Sequence, residues 1–151
     1  MTHFLSPTQI DEIISSLPIA DAKAQTKASV RQANLTKPNG SLGRLEDVAI
    51  WMAGWQRRER PSIDHGQCLV FAGNHGVVKQ GISAFPAEVT AQMVANFRAG
   101  GAAINQLCEL ADLQLDVITL DLDHPTNDLS LGPAMTENEV IAAMNIGADA
   151  L

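Results

Sequence analysis

The chain has 151 residues, the size of one ordinary domain or of an incomplete piece of a larger one. Apolar residues make up 46% of it and charged residues 18%, enough to build a buried core, which excludes wholesale disorder. The formal net charge of −7, with no run of Lys or Arg to offset it, argues against nucleic acid as a partner, because phosphate-backbone binding needs a concentrated cationic face.

The opening Met1-Thr2-His3-Phe4 reaches Asp11 and Glu12 without a basic region and a long apolar core, so no signal peptide is expected. Ser6-Pro7-Thr8-Gln9 predicts a helix start, with Ser6 as cap, Pro7 in the first position and Gln9 reaching back to the cap amide. Ile10, Ile13, Ile14 and Leu17 recur at helical spacing until Pro18 stops them. A second helix is predicted from Asp21 to about Leu35, with a weak stripe of Ala24, Ala28 and Leu35. The turn-rich Lys37-Pro38-Asn39-Gly40-Ser41-Leu42-Gly43-Arg44 then feeds a third helix carrying Leu45, Val48, Ala49, Met52 and Trp55. Arg57, Arg58 and Arg60, interrupted by Glu59, read as its solvated end. The faces of these leading helices are too small for a good core of their own, so they are expected to pack on something else.

The texture changes after Pro61. Cys68-Leu69-Val70-Phe71-Ala72 is a short continuous apolar run between Gly66 and Gly73, the pattern of a strand buried on both faces in a parallel sheet. Pro86 is predicted to start a helix with Val89, Met93 and Phe97 on one side, a stripe read first as core. Gly100-Gly101 breaks that helix, and another follows through Ile104, Leu107, Cys108 and Ala111. Leu115 to Leu122 is the second predicted strand, so strand–helix–strand order implies a right-handed parallel crossover. Asp123 to Pro133 reads as a polar loop, and Thr136-Glu137-Asn138-Glu139 as a capping box opening a helix with Val140, Ile141 and Met144. No stretch approaches the roughly 20 apolar residues of a membrane span. Two strands are few for so many apolar helices, since a doubly wound domain has about five or six. The expected fold is therefore α/β: N-terminal helices followed by the first part of a parallel Rossmann-like sheet, incomplete in this chain.

In such a sheet ligands bind beyond the carboxyl ends of the strands. Two loops qualify: Gly73-Asn74-His75-Gly76, and the segment opening Asp121-Leu122-Asp123-His124. Gly73 and Gly76 give positive φ or close approach of a ligand to the backbone. His75 is a hydrogen-bond donor or proton carrier, or else Asn74 and His75 satisfy backbone groups at a tight turn; both readings stand. Asp121, Asp123 and His124 lack a further ligand at zinc or calcium spacing and read as a solvated loop. Asp116 could face either side of the sheet. Gly100-Gly101 reads as a helix break, with a phosphate at the next helix as the alternative. No GxGxxG, GxxxxGK[ST] or GxSxG pattern occurs. Cys68 and Cys108 lie in apolar runs without CxxC spacing and read as reduced, buried small hydrophobes. Phe85-Pro86 sits where an aromatic ring could face a flat apolar ligand.

Several segments together resemble one family. Lys37-Pro38-Asn39-Gly40-Ser41-Leu42-Gly43-Arg44-Leu45-Glu46 is similar to the KPxGSLGRLE signature of nicotinate-nucleotide–dimethylbenzimidazole phosphoribosyltransferases. Ala72 to Val77 resembles their A(G/A)DHGV segment, and Gly81 to Thr90 their GVSAxPxxVT stretch. Asn96 with Gly100 to Asn105 resembles N…GGAAIN, and Gly132 to Thr136 resembles GPAM(T/S). These matches come in the family's order from about residue 37 onward. Asn74 departs from the Asp that many relatives carry, so no general-base role rests on it.

The resemblance implies transfer of phosphoribose from nicotinate mononucleotide to 5,6-dimethylbenzimidazole, giving nicotinate and α-ribazole phosphate for the lower ligand of cobamides. It implies a homodimer without an organic cofactor; the cytoplasmic setting is expected from the reduced cysteines, and no metal from the lack of ligand spacing. Residues 1–60 would be the helical segment of a small domain and 61–151 the first part of the α/β domain. It places the family's carboxylate base in a Glu near the C-terminus and the glycine-rich phosphate contacts beyond Leu151, so an inactive N-terminal fragment is expected, with no catalytic residue here; Glu88 reads as a helix-start acid. Ser83, Phe85, Pro86 and Met93 correspond to the family's benzimidazole-pocket segment: Phe85 and Met93 as flat apolar walls, Ser83 as a polar contact, His75 nearby at the sheet edge. The competing expectations are a non-catalytic benzimidazole- or nucleotide-binding module and a structural half needing a separate C-terminal partner.

Overall fold

The computed structural model describes residues 3–151; Met1 and Thr2, where the leader reading begins, lie outside the described residues. The elements in order are α1 (Pro7–Ser15), α2 (Ala22–Asn34), α3 (Arg44–Gln56), β1 (Gly66–Gly73), a 3-10 turn (Gly76–Gln80), α4 (Glu88–Arg98), α5 (Ala103–Leu110), β2 (Leu113–Leu120) and α6 (Glu137–Asp149). They fall into two compact units. One is Ile14–Asp64; the other joins the N-terminal segment through Ile13 to His65–Leu151.

In the helical unit, Asp21 caps α2 by accepting from the amides of Lys23 and Ala24 at 2.8 and 3.1 Å. These bonds hold its carboxyl below the usual carboxylate range, the Ala24 amide contributing most. α2 packs on α3 through small residues: Ala24, Ala28 and Ala53 are buried, and a side chain added at Gly54 would meet Gln25 at 2.7 Å. This corrects the stripe expected on α3. Leu45, Val48 and Trp55 lie exposed, as does Trp51, because the close helix contact runs along Ala53 and Gly54 instead. In the turn before α3, Lys37 Nζ meets Glu46 Oε1 at 2.6 Å and the Leu42 amide donates to the same oxygen. Gly40 and Gly43 take positive φ there, where a side chain would be strained.

In the α/β unit, β1 and β2 pair in parallel, with Val70 opposite Val117 and Gly73 opposite Leu120. The strand–helix–strand expectation is met, with shifted edges. β2 starts at Leu113 and stops at Leu120, two residues earlier at each end than expected, since Asp112 and Asp121 both take positive φ and turn the chain. α4 begins at Glu88, two residues after Pro86, although the Pro86 carbonyl already accepts from Val89.

α6 has its capping box: the Thr136 amide donates to Glu139 Oε2 at 2.6 Å and the Glu139 amide to Thr136 Oγ1 at 3.3 Å. The N-terminal segment joins this unit through Phe4, whose amide donates to Asn145 Oδ1 and whose carbonyl accepts from Asn145 Nδ2. Ser6 caps α1 at the Gln9 amide, while Gln9 reaches the Leu5 amide rather than that of Ser6. Among the described residues, no helix is long and apolar enough to cross a membrane.

Candidate functional site

A cleft of about 450 Å³ opens at the carboxyl end of β1, the place where open parallel sheets bind ligands. Its floor is the end of β1 and the loop Asn74–His75; Ile82, Ser83, Phe85 and Pro86 form one wall, and α4 the other, through Val89, Met93 and Phe97. The lining is mainly apolar, as small-molecule sites are. His75, Ser83, Phe85, Pro86 and Met93, the residues singled out in the sequence, all border this one cleft.

Local chemistry explains why the chain builds this place. Gly81, at φ +70, ends the 3-10 turn and throws the chain out into the 82–87 loop. Ser83 Oγ accepts from the Phe85 amide at 3.2 Å, which tightens that loop and leaves the Phe85 ring 67% exposed. On α4 the buried residue is Val94, whereas Met93 is exposed. The Val89–Met93–Phe97 stripe therefore faces a cavity rather than a filled core, a correction to the first expectation for it. Asn105 ties the end of α4 to the start of α5, donating to the Phe97 carbonyl and accepting from the Ala102 amide. Gly100, at φ +78, ends α4, and a side chain at Gly101 would run into the Asn96 amide. The pair thus works as a helix break.

The two loops beyond the strands are laced together. His75 and Thr126 form a parallel bridge, the Gly76 amide donating to the Thr126 carbonyl at 2.9 Å and the Thr126 amide to the Asn74 carbonyl at 3.2 Å. Asn74 Nδ2 donates to the Leu122 carbonyl at 2.9 Å, so Asn74 satisfies backbone at the turn, as one of the two readings held. A side chain at Gly76 would meet Thr126 O at 2.5 Å and Asn127 C at 2.7 Å, whereas one at Gly73 would find its nearest neighbour at 3.7 Å. Close approach therefore demands glycine at 76 alone. Sequence reasoning missed Thr126, because a threonine in a polar loop carries no periodic signal and its pairing partner lies 51 residues away.

Outside the cleft, His124 Nδ1 and Asp121 Oδ1 pair at 2.9 Å, and that hydrogen bond raises the imidazole pKa. Asp116 accepts from Gln67 and Gln114. Ser130 and Gln80 donate to Asp128 and hold its carboxyl below the usual range. Burial, then the neighbouring Cys68, pushes the Cys108 thiol up; both cysteines are free, Cys108 buried and Cys68 half-buried. Among the described residues, no group of three or more His, Cys, Asp and Glu could hold a metal ion.

A family model described as phosphoribosyltransferase matches residues 17–151, and the chain belongs to that family. Its relatives there are narrower in kind. The nicotinate-nucleotide–dimethylbenzimidazole phosphoribosyltransferase of Novosphingobium aromaticivorans is 56% identical over 98% of this chain and 44% of its own length. The protein of the same name from Rhodobacter capsulatus is 54% identical over 100% of this chain and 45% of its own. Among solved structures, that of CobT from Thermus thermophilus superposes with a TM-score of 0.76 at 40% identity, over 85% of this chain and 43% of that one. A second structure from that organism, titled as the same phosphoribosyltransferase, gives a TM-score of 0.79 at 39% identity, covering 86% of this chain and 44% of that one. The chain thus spans less than half the length of the curated relatives it matches.

Proposed function

We propose that this chain is the N-terminal part of a cytoplasmic, homodimeric enzyme that transfers phosphoribose from nicotinate mononucleotide to 5,6-dimethylbenzimidazole, and that it carries the wall against which the base lies. The observation that carries this reading is the convergence of His75, Ser83, Phe85, Pro86 and Met93 on one apolar cleft at the carboxyl end of β1, in a chain 56% identical to an enzyme of that name. A flat aromatic base suits the site: Phe85 and Met93 offer a ring face and a polarisable thioether. Pro86 stiffens the loop between them and Ser83 supplies a short polar edge.

The reaction also needs a group that removes the proton of the incoming base and offsets charge as nicotinate leaves. Among the described residues no carboxylate borders the cleft; the family resemblance assigns that group, and the phosphate contacts, to a C-terminal part of the protein. The helical unit of residues 14–64 would be one portion of a small domain. Its exposed Leu45, Trp51 and Trp55 suit coverage by that same later part. The acidic chain is not a nucleic-acid binder, and the reaction needs no organic cofactor.

The test separates binding from turnover. The purified 151-residue chain should bind 5,6-dimethylbenzimidazole in equilibrium dialysis yet release no nicotinate from nicotinate mononucleotide. Failure to bind the base would remove the cleft from the reading. Nicotinate release dependent on the added base would show that the proton acceptor lies within this chain.

A further inference from the structure

The loop after β2 holds a side chain whose hydrogen bonds decide what His75 presents to the cleft. Thr126 Oγ1 lies 3.5 Å from His75 Nδ1 and 3.3 Å from the Asn127 carbonyl oxygen. The backbone bridge on either side of His75 keeps these groups abreast: Gly76 donates to the Thr126 carbonyl, and Thr126 donates to the Asn74 carbonyl.

A hydroxyl has one proton to give, and a carbonyl oxygen only accepts. The hydroxyl donates to the Asn127 carbonyl, and with its proton used there the contact to His75 is a hydrogen bond when Nδ1–H donates to the hydroxyl oxygen. In the neutral ring the proton then sits on Nδ1, and Nε2 keeps its lone pair. Among the described residues, His75 Nε2 has no partner, and His75 borders the cleft.

We infer that Thr126 is a positioning residue that sets His75 in the Nδ1–H tautomer, so that Nε2 offers the cleft a hydrogen-bond acceptor for a ligand with a ring N–H or a hydroxyl. This rests on the reading of the cleft as a base site and sharpens it. Asn74 and Ser83, the neighbouring polar side chains, already use an amide donor and a hydroxyl acceptor within the protein. Nε2 is therefore a preset acceptor, matched to an azole that bears N–H and unable to bond one whose N–H is replaced by N-methyl.

Long-range proton–nitrogen correlation spectra of the ¹⁵N-labelled chain, above the imidazole titration, read the tautomer directly. His75 should carry its proton on Nδ1; Thr126→Val should move it to Nε2, and Thr126→Ser should keep it on Nδ1. A wild-type His75 protonated on Nε2, or a tautomer unmoved in the valine variant, overturns the role of Thr126.

Binding supplies the second arm. Thr126→Val, which turns Nε2 into a donor, should tighten 1,5,6-trimethylbenzimidazole, whose remaining ring nitrogen only accepts, on the order of fivefold, the worth of one neutral hydrogen bond. It should change 5,6-dimethylbenzimidazole less, because its ring can either donate or accept. Equal losses for both ligands would assign Thr126 a purely structural role. Should neither ligand bind the wild-type chain, the base-site reading fails, while the tautomer spectra still judge Thr126 by themselves.

Discussion

Gly76→Ala is the sharpest perturbation of the lacing that builds the cleft floor. The added methyl carbon would sit 2.5 Å from the Thr126 carbonyl oxygen and 2.7 Å from Asn127 C and Asp128 N. All three are backbone atoms of the opposing loop, so no side chain can swing aside. Relief requires the 126–128 segment to retreat and stretches the 2.9 Å bond from the Gly76 amide to Thr126. Overpacking of this kind costs about 1–3 kcal/mol, and the weakened hydrogen bond adds about 1 kcal/mol. For a unit of this size that corresponds to a drop in Tm on the order of 10 °C.

Gly73→Ala is the matched control. Its nearest neighbour, Leu120 Cβ, stands at 3.7 Å, an ordinary contact, and alanine loses less backbone freedom on folding than glycine, worth at most about 0.5–1 kcal/mol at this last position of β1. Thermal denaturation followed by circular dichroism should therefore separate the two variants, with Gly73→Ala at or slightly above wild type. Equal Tm values would mean that the two loops do not approach as described.

Phe85→Ala should weaken binding of 5,6-dimethylbenzimidazole by about 1–2 kcal/mol, near tenfold, through lost ring contact. Nicotinate mononucleotide binding, measured in the complete enzyme, should change less; equal losses would take Phe85 out of the base wall. Thr136→Ala removes one half of a capping box and should cost about 1 kcal/mol by chemical denaturation. Glu46 has a depressed pKa, held down first by Lys37 and then by the Leu42 amide. Its contribution to stability is thus present above the ordinary glutamate pKa and lost as pH falls through the depressed folded value. Glu46→Gln should lower Tm at neutral pH and flatten the acid side of the Tm–pH profile, and an unchanged acid slope would place the acid sensitivity elsewhere.

The parallel pairing was legible in the apolar run Cys68 to Ala72, but the burial expected on both faces is not met: within that run only Ala72 is buried, and Phe71 is exposed. The strand ends were less legible: β2 stops where Asp121 turns to φ +39, a conformational choice that no hydrophobic pattern encodes. On α2 the buried Ala24 and Ala28 were visible as a stripe, but the α3 side of the contact was missed, because periodicity weighs large apolar residues such as Leu45 and Trp55, whereas the helices meet along Ala53 and Gly54. In the cleft, the wall residues were visible as a motif. The pairing of His75 with Thr126 was not, because it joins two polar loops far apart in sequence and leaves no local trace.

Methyl spectra with ¹³C-labelled methionine test the placement of the base most directly. Met93 borders the cleft; Met135 and Met144 lie elsewhere in the same unit, and Met52 lies in the helical unit. Titration with 5,6-dimethylbenzimidazole should shift Met93 saturably and leave Met52, Met135 and Met144 in place. A bound base that leaves Met93 unmoved, or shifts all four alike, would contradict a site at the carboxyl end of β1.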